Sequence, residues 1–371
     1  MSAACLPCSW EDQLASLRRL AAAHSANTVV LRDPLNLSWF TGARWHVPQT
    51  LNMSCFDVVI SGLGGPQASE EVRIVTNAIE APRLRDTEFL DRPVEFDVVG
   101  WTEDRSVLLP TGPGVLTDQP TGMGANSIDA QALLAAIRRV LTPGQQHTLT
   151  DLCADLARIT GRVVAAIRPG ESEQHVAGQL VAALLDEGIE TVALFVGSDE
   201  RIGAHRHPLA TAKPVQDRVM VACCGRRNGM VGTVTRMVSF SPLEAEAATY
   251  NALLRVEQAF LDNSTPGAVL SEVFALGAAA YGENGFDPAE WRRHHQGGLT
   301  GFNPRELIAS PRTNLELSEG MVLGWNPSGA GFKVEDTVLV TANGPRILTV
   351  DDAWPTLAVG GQPRPAVLEI H

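Results

Sequence analysis

Apolar and polar positions follow two different rhythms along this chain. Up to about residue 130, short β-rich runs at Thr28–Leu31, Glu71–Thr76 and Val94–Trp101 alternate with helical stretches, one of them near Ala81–Phe89. Asp33-Pro34 reads as a turn after the first run, and the Pro- and Gly-rich stretches Gly62–Gln67 and Leu109–Gly124 read as loops. This half predicts a small α/β domain. Beyond it the period changes. Leu152, Leu156, Ile159, Val163 and Ile167 fall on one stripe of a helix that Pro169-Gly170 ends. Ser172 caps a second helix whose inner stripe is Val176, Leu180 and Leu184, and Gly188 closes it. Two more helices are predicted near Leu243–Leu261 and Val269–Tyr281. Strands are predicted at Val219–Cys224, Gly232–Phe240, Met321–Trp325 and Val334–Thr341. The order helices, hairpin, helices, hairpin hints at an old duplication without an obvious repeat.

The chain has 371 residues, too many for one ordinary core, so two domains are expected, at 1–135 and 136–371. Apolar residues make up 44% and charged ones 19%, which allows a sizeable core and excludes wholesale disorder. No apolar stretch is long enough for a membrane span, and Met1 to Glu11 lacks the basic and apolar regions of a secretion signal. A formal net charge of −13 argues against nucleic acid or an anionic membrane as partner. Six scattered cysteines make no disulfide framework, so a reducing cytoplasm is expected; Cys5 and Cys8 form a C-x-x-C with no second pair to complete a metal site. Lysine occurs only at Lys213 and Lys333, which reads as the arginine bias of a GC-rich bacterial genome rather than as chemistry.

Candidate chemistry gathers at histidines. His205 and His207 lie in the turn-like Gly203-Ala204-His205-Arg206-His207-Pro208, and His294 and His295 precede Gln296-Gly297-Gly298. Glycines there would let a substrate or a backbone come close, and imidazoles suit proton transfer near neutral pH.

Six segments in this order resemble the pita-bread superfamily of creatinase, prolidase, aminopeptidase P and methionine aminopeptidase. They are Arg168-Pro169-Gly170-Glu171-Ser172-Glu173, His205 to Pro208, Gly225 to Arg236, His295 to Gly298, Glu319 to Pro327, and Val334-Glu335-Asp336-Thr337. Asp33 to Gly42 is similar, more weakly, to the creatinase-type N-terminal domain. The resemblance implies an α/β (α+β) protein, with a creatinase-type N-terminal domain followed by a pita-bread domain. Peptidases of this fold hold two metals with two Asp, one His and two Glu. At the matching positions stand Ala222 (or Cys223, if the hairpin is one residue shorter), Thr233, His295, Asn326 and Glu335. Thr and Asn bring no charge to offset a dication's dehydration, so the two-metal site is expected to be lost and no cofactor is expected. Cys223 with His295 and Glu335 remains a route to one zinc, or Cys223 a nucleophile paired with a histidine.

Creatinase cleaves a C–N bond without metal, and its likeness implies such a reaction on a small polar substrate. His207, or His205 beside it, would then be general acid or base, and His295 the second proton-transfer or oxyanion group. Glu335 would orient a histidine or bind a cationic group, unless Arg236 or another base merely neutralises it. Asn326 would offer a neutral donor and acceptor. His294, Arg236, Trp325, Thr233 and Phe302 complete the candidate substrate-binding set, although Arg236 also reads as a hairpin brace and Trp325 as core. Arg305 and Glu306 either gate the pocket or are simply solvated. The competing readings are an inactive small-molecule or partner binder and an Xaa-Pro peptidase with a degenerate metal site. The resemblance also implies a homodimer, with the first domain serving assembly or roofing the pocket.

Overall fold

The computed structural model describes residues 10–47, 53–65, 69–119 and 126–370. Cys5 and Cys8 lie outside them. The chain divides into two compact units, one of residues 1–139 with 228–230 and one of residues 140–227 with 231–371.

The first unit is built on a six-stranded sheet. Its strands are β1 (Thr28–Leu31), β2 (Phe56–Ser61), β3 (Glu71–Asn77), β4 (Glu95–Val99), β5 (Val115–Thr117) and β6 (Ile128–Asp129), in the order β4-β3-β2-β1-β5-β6. All four residues of β1 are buried, as a central strand covered on both faces requires. Helix α1 (Glu11–Ala23) precedes β1. Asp33-Pro34 is not a free turn: Asp33 accepts from the Leu35 amide and caps α2 (Pro34–Thr41), with Pro34 in the first turn, where its missing N–H costs nothing. The helix expected near Ala81–Phe89 is a short α3 (Ala81–Arg83) running into a π-helical turn over Leu84–Glu88. Helix α4 (Gln131–Arg138) ends the unit.

In the second unit, α5 (Pro143–Ala166) buries Leu152, Leu156, Ile159 and Val163, and a capping box of Thr142 and Gln145 starts it. Ser172 accepts from the His175 amide and caps α6 (Glu173–Asp186). Strand β7 (Glu190–Ser198), which the apolar pattern did not single out, joins β8 (Arg218–Arg227) and β9 (Met230–Ser239) in a four-stranded sheet, with the short α7 (Glu200–Ala204) after β7. Asn228 and Gly229, both at positive φ (53° and 74°), turn β8 into β9. A two-residue turn fixes the register, placing Gly225 opposite Gly232 and Cys224 opposite Thr233. A Cβ on Gly225 would lie 2.9 Å from Leu156, and one on Gly232 3.0 Å from the Cys153 sulfur, so the face carrying these glycines packs directly on α5. The opposite face, carrying Ala222, Cys224, Thr233 and Thr235, is left for the site.

Helices α8 (Glu244–Asp262) and α9 (Leu270–Glu283) pair and back the second sheet. This sheet contains β10 (Gly297–Leu299), β11 (Leu307–Ile308), β12 (Val322–Trp325), β15 (Asp336–Thr341) and β16 (Gly344–Ile347), in the order β11-β10-β12-β15-β16. A small ribbon of β13 (Ser328–Gly329) and β14 (Phe332–Lys333) connects β12 to β15. The two sheets are stitched at β9, where the amides of Thr235 and Thr233 donate to the Glu335 carbonyl at 2.9 Å and the Thr337 hydroxyl at 2.7 Å.

Candidate active site

Three histidines from two separate segments converge. Those of His207, His294 and His295 offer ring nitrogens that all lie within 4.8 Å of one another. His207 stacks on Phe195 of β7 at 4.6 Å between ring centroids, and its Nε2 is 3.0 Å from Nε2 of His294. Only one of those nitrogens carries the shared proton. His294 Nδ1 is buried without a partner, and a stranded lone pair costs less there than a stranded N–H, so His294 is assigned as donor and His207 as acceptor. His207 then carries its proton on Nδ1. The rings of His294 and His295 are 4.4 Å apart, and His295 Nδ1 is also buried without a partner.

Desolvation shifts all three imidazoles toward the neutral form, assisted by nearby cations. His207 and His294 are shifted down by burial and then by Lys333; His295 is lowered to about 4 by burial and then by Arg305 and Lys333. His205 does not join them. It is exposed at the end of α7, and the expectation that it shares the catalytic role is withdrawn.

Across the site stands Glu335, 3% exposed. Arg305 donates to its Oε1 at 2.5 Å, the Thr235 hydroxyl to its Oε2 at 3.2 Å, and the Lys333 ammonium lies 3.7 Å from Oε2. Burial works against ionisation of this carboxyl, and Lys333 and Arg305 overcome it, leaving its pKa below the usual glutamate range. Arg305 is therefore neither a solvated residue nor a simple gate: its guanidinium lies over Gly324, where a Cβ would be 3.1 Å from Nη1. Lys333 is 4% exposed and belongs to the site, against the compositional reading of the scarce lysines. Its one sequence signal was its place two residues before Glu335, spacing that brings alternate residues of an extended chain to one face. Asn326, 1% exposed, extends β12 beside Glu335, and its Oδ1 has no hydrogen-bond partner.

The remaining candidates are structural. Trp325 is fully buried, stacks on Phe260 at 4.6 Å and donates to Ser264, so it is core and binds no substrate. Arg236 points to the other side of the hairpin, pairing with Asp336 at 3.2 Å and donating to the carbonyls of Thr235 and Thr349; it braces the sheets and does not touch Glu335. Thr233 is buried and tied to Thr337, and Phe302 is buried in the turn after β10. Gly297 and Gly298, at φ +122° and +144°, serve neighbouring backbone rather than a substrate, since a Cβ on either would fall about 2 Å from the carbonyl oxygen of Gly324 or Leu307.

A four-stranded hairpin sheet and a second antiparallel sheet, each backed by a helix pair with the polar site on their open faces, define the pita-bread class. The profile of metallopeptidase family M24 matches residues 125–342, and the chain belongs to that family, with its peptidase-like hydrolase fold. It is 23% identical over 361 residues to an uncharacterized peptidase of Staphylococcus haemolyticus, covering 87% of this chain and 95% of that one. To a probable dipeptidase PepE of Mycobacterium bovis it is 26% identical over 234 residues, 60% of this chain and 61% of the relative. The crystal structure of PepE from Mycobacterium ulcerans superposes with a TM-score of 0.73 over 97% of both chains at 22% identity. The prolidase of Pyrococcus horikoshii superposes at 0.72 over 92% and 99% at 16% identity.

The metal pair implied by this family does not fit the residues present. The uninterrupted hairpin puts Ala222, not Cys223, at the first ligand position. Cys223 shares the helix-packed face with Gly225, and burial pushes its thiol far up. Thr233 and Asn326 are neutral, and Glu335 already serves two cations. The three histidines are metal ligands by type, yet a dication among them would face Lys333 and Arg305 with one carboxylate to offset both. Unit charges 4 Å apart repel by about 4 kcal/mol at an effective dielectric of ~20, and a dication doubles it.

Proposed function

We propose that this chain is a hydrolase that cleaves a C–N bond of a small polar substrate without the metal pair of its family. The observation that carries the reading is the neutral triad His207–His294–His295 facing the Glu335–Arg305–Lys333 charge cluster. His295, shifted toward its neutral form, removes a proton from an attacking water as that water adds to the substrate carbon. The resulting imidazolium, made acidic by burial and adjacent cations, passes the proton to the leaving nitrogen as the C–N bond breaks. His207, oriented by His294 and Phe195, donates its Nδ1–H to the oxygen on which negative charge develops.

The test is a panel of small amides, ureas and guanidino compounds assayed with the chelator-treated protein. Turnover that falls by roughly 10²–10⁴ in His295→Asn and His207→Asn, with unchanged melting curves, supports this assignment. Turnover that both variants keep and a chelator abolishes would instead identify a degenerate metallopeptidase.

A further inference from the structure

His207 and His294 keep their ring nitrogens 3.0 Å apart, yet His207 is exposed on a loop that belongs to no helix or strand. A loop side chain holds such a position only where neighbouring contacts fix it. On one side Phe195 stacks on the ring, and Pro208 packs so closely on Gly197 that a Cβ there would lie 2.6 Å from it. Arg206, the residue before His207, supplies the other side. Its Nη2 pairs with Glu290, and its Nη1 donates to the Ser328 hydroxyl at 3.0 Å. Glu290 opens the 3-10 turn Glu290–Arg293 that leads directly into His294, and its side chain is 7% exposed. Ser328 lies on β13, and its amide donates to the Tyr281 hydroxyl at 3.1 Å. That hydroxyl donates to Gln296 Oε1 at 2.7 Å, and Gln296 Nε2 donates to the His294 carbonyl at 2.6 Å. Tyr281 and Gln296 are both buried. One guanidinium thus grips the His294 segment at two points, before it through Glu290 and after it through Ser328, Tyr281 and Gln296.

We infer that Arg206, held by Glu290 and Ser328, is a positioning residue that sets His207 against His294. The inference rests on the hydrolase reading above and adds the group that keeps its oxyanion donor in register. An exposed ion pair would do little here, but this carboxylate is nearly buried, and a guanidinium fork directs two donors at fixed angles. Glu290 also pairs with Arg293 at 3.2 Å. Arg293 sits on the same turn with its side chain 60% exposed, so that pair ties no second segment to the site.

The experiment follows the histidine ring protons of the full, isotope-labelled chain by NMR at pH 7.5, beside turnover of the best C–N substrate in the panel above. The shared His294 proton is expected as a downfield ring N–H resonance protected from exchange with water. In Arg206→Met its exchange is expected to quicken at least about tenfold, and kcat to fall by roughly 10²-fold with far less change in KM, as for a misplacement of ~1 Å. Arg293→Met, which removes the other partner of Glu290, should leave the ring proton and kcat unchanged. A merely structural pair would lower the melting temperature of Arg206→Met and leave the ring proton alone. Unchanged exchange in Arg206→Met, or equal quickening in Arg293→Met, would overturn the inference. If Arg206→Met fails to fold, Ser328→Ala, which deletes one hydroxyl at the other grip, is read by the same resonance: faster exchange supports the inference and unchanged exchange overturns it. A ring proton loosened by Arg206→Met in a protein that turns over no C–N substrate leaves the positioning role standing and counts against the hydrolase reading.

Discussion

Arg305 and Glu335, thirty residues apart in sequence, meet at 2.5 Å inside the second unit, and Lys333 approaches the other oxygen of the same carboxylate. One anion thus holds two buried cations, and the three residues are not equivalent. Removing Glu335 leaves Arg305 without its anion and takes away the charge that opposes the downward shift burial imposes on Lys333, whereas removing Lys333 leaves a matched pair. Glu335→Gln is expected to destabilise the fold by about 3–5 kcal/mol, as breaking a buried pair does, and Lys333→Met to be near neutral or stabilising. Urea denaturation of both variants checks this. Equal losses would show that Glu335 is not the hub of the cluster.

The element boundaries of the second unit were legible because long helical stripes and cap residues such as Ser172 act locally. Strand β7 was missed because only its last three residues are fully buried, so it carries no clean alternation. His207, His294, His295 and Glu335 were legible through motif order, but their pairing was not: it depends on β7 and β10 bringing together residues 87 apart. Arg305 was misread for the same reason, since its partner lies in another hairpin. Trp325 and Arg236 show the converse limit, because neighbours of a motif residue point alternately into and away from the site. Lys333 was discounted on composition, which carries no information about position.

The β10 glycines make a backbone prediction. At φ +122°, with the Gly324 carbonyl 2.0 Å from any added Cβ, Gly297→Ala cannot be absorbed by a side-chain shift. A loss of several kcal/mol is expected in thermal or urea melts. Gly331→Ala, also at positive φ but with nothing near its Cβ, should lose only about 1–2 kcal/mol of backbone strain.

Stability should depend on pH through the histidines. His207, His294 and His295 have folded pKa values below the unfolded value, His295 at about 4, because burial opposes their protonation. Lys333 and Arg305 follow for His207 and His295, and Lys333, the other two histidines and Arg206 for His294, with Glu335 acting the other way for His207 and His295. Between those values and about 6.5, the unfolded chain binds more protons than the folded one. Stability is therefore expected to be complete above pH ~7 and to fall as the pH drops through 6.5 toward 4. Urea midpoints at pH 7.5, 6.5 and 5.5 test this. His294→Gln should flatten the slope, and a wild-type midpoint that stays constant or rises on acidification contradicts the neutral triad.

The homodimer implied by the family resemblance is a separate expectation. Light scattering at micromolar concentration should give twice the 39.7 kDa chain mass. A mass of one chain refutes it.

Metal content tests the charge argument most directly. Two of the five positions that carry metal in the peptidases of this fold, His295 and Glu335, keep a ligand type, and Glu335 is engaged by Arg305 and Lys333. A metal pair would have to displace both cations from Glu335 while gaining nothing from Ala222, Thr233 or Asn326. Protein dialysed after exposure to manganese, cobalt or zinc is therefore expected to hold far less than one metal per chain by elemental analysis, and a chelator should leave turnover unchanged. A single zinc on the three histidines, a set different from Cys223, His295 and Glu335, has its own control. If the three histidines take zinc despite the adjacent cations, His294→Gln should abolish its retention, and Lys333→Met, which removes one repelling charge, should strengthen it. Two tightly held metals in the wild-type chain, lost in Glu335→Gln, would show that Arg305 and Lys333 swing away from the carboxylate, and that the cation-filled site is not the working state.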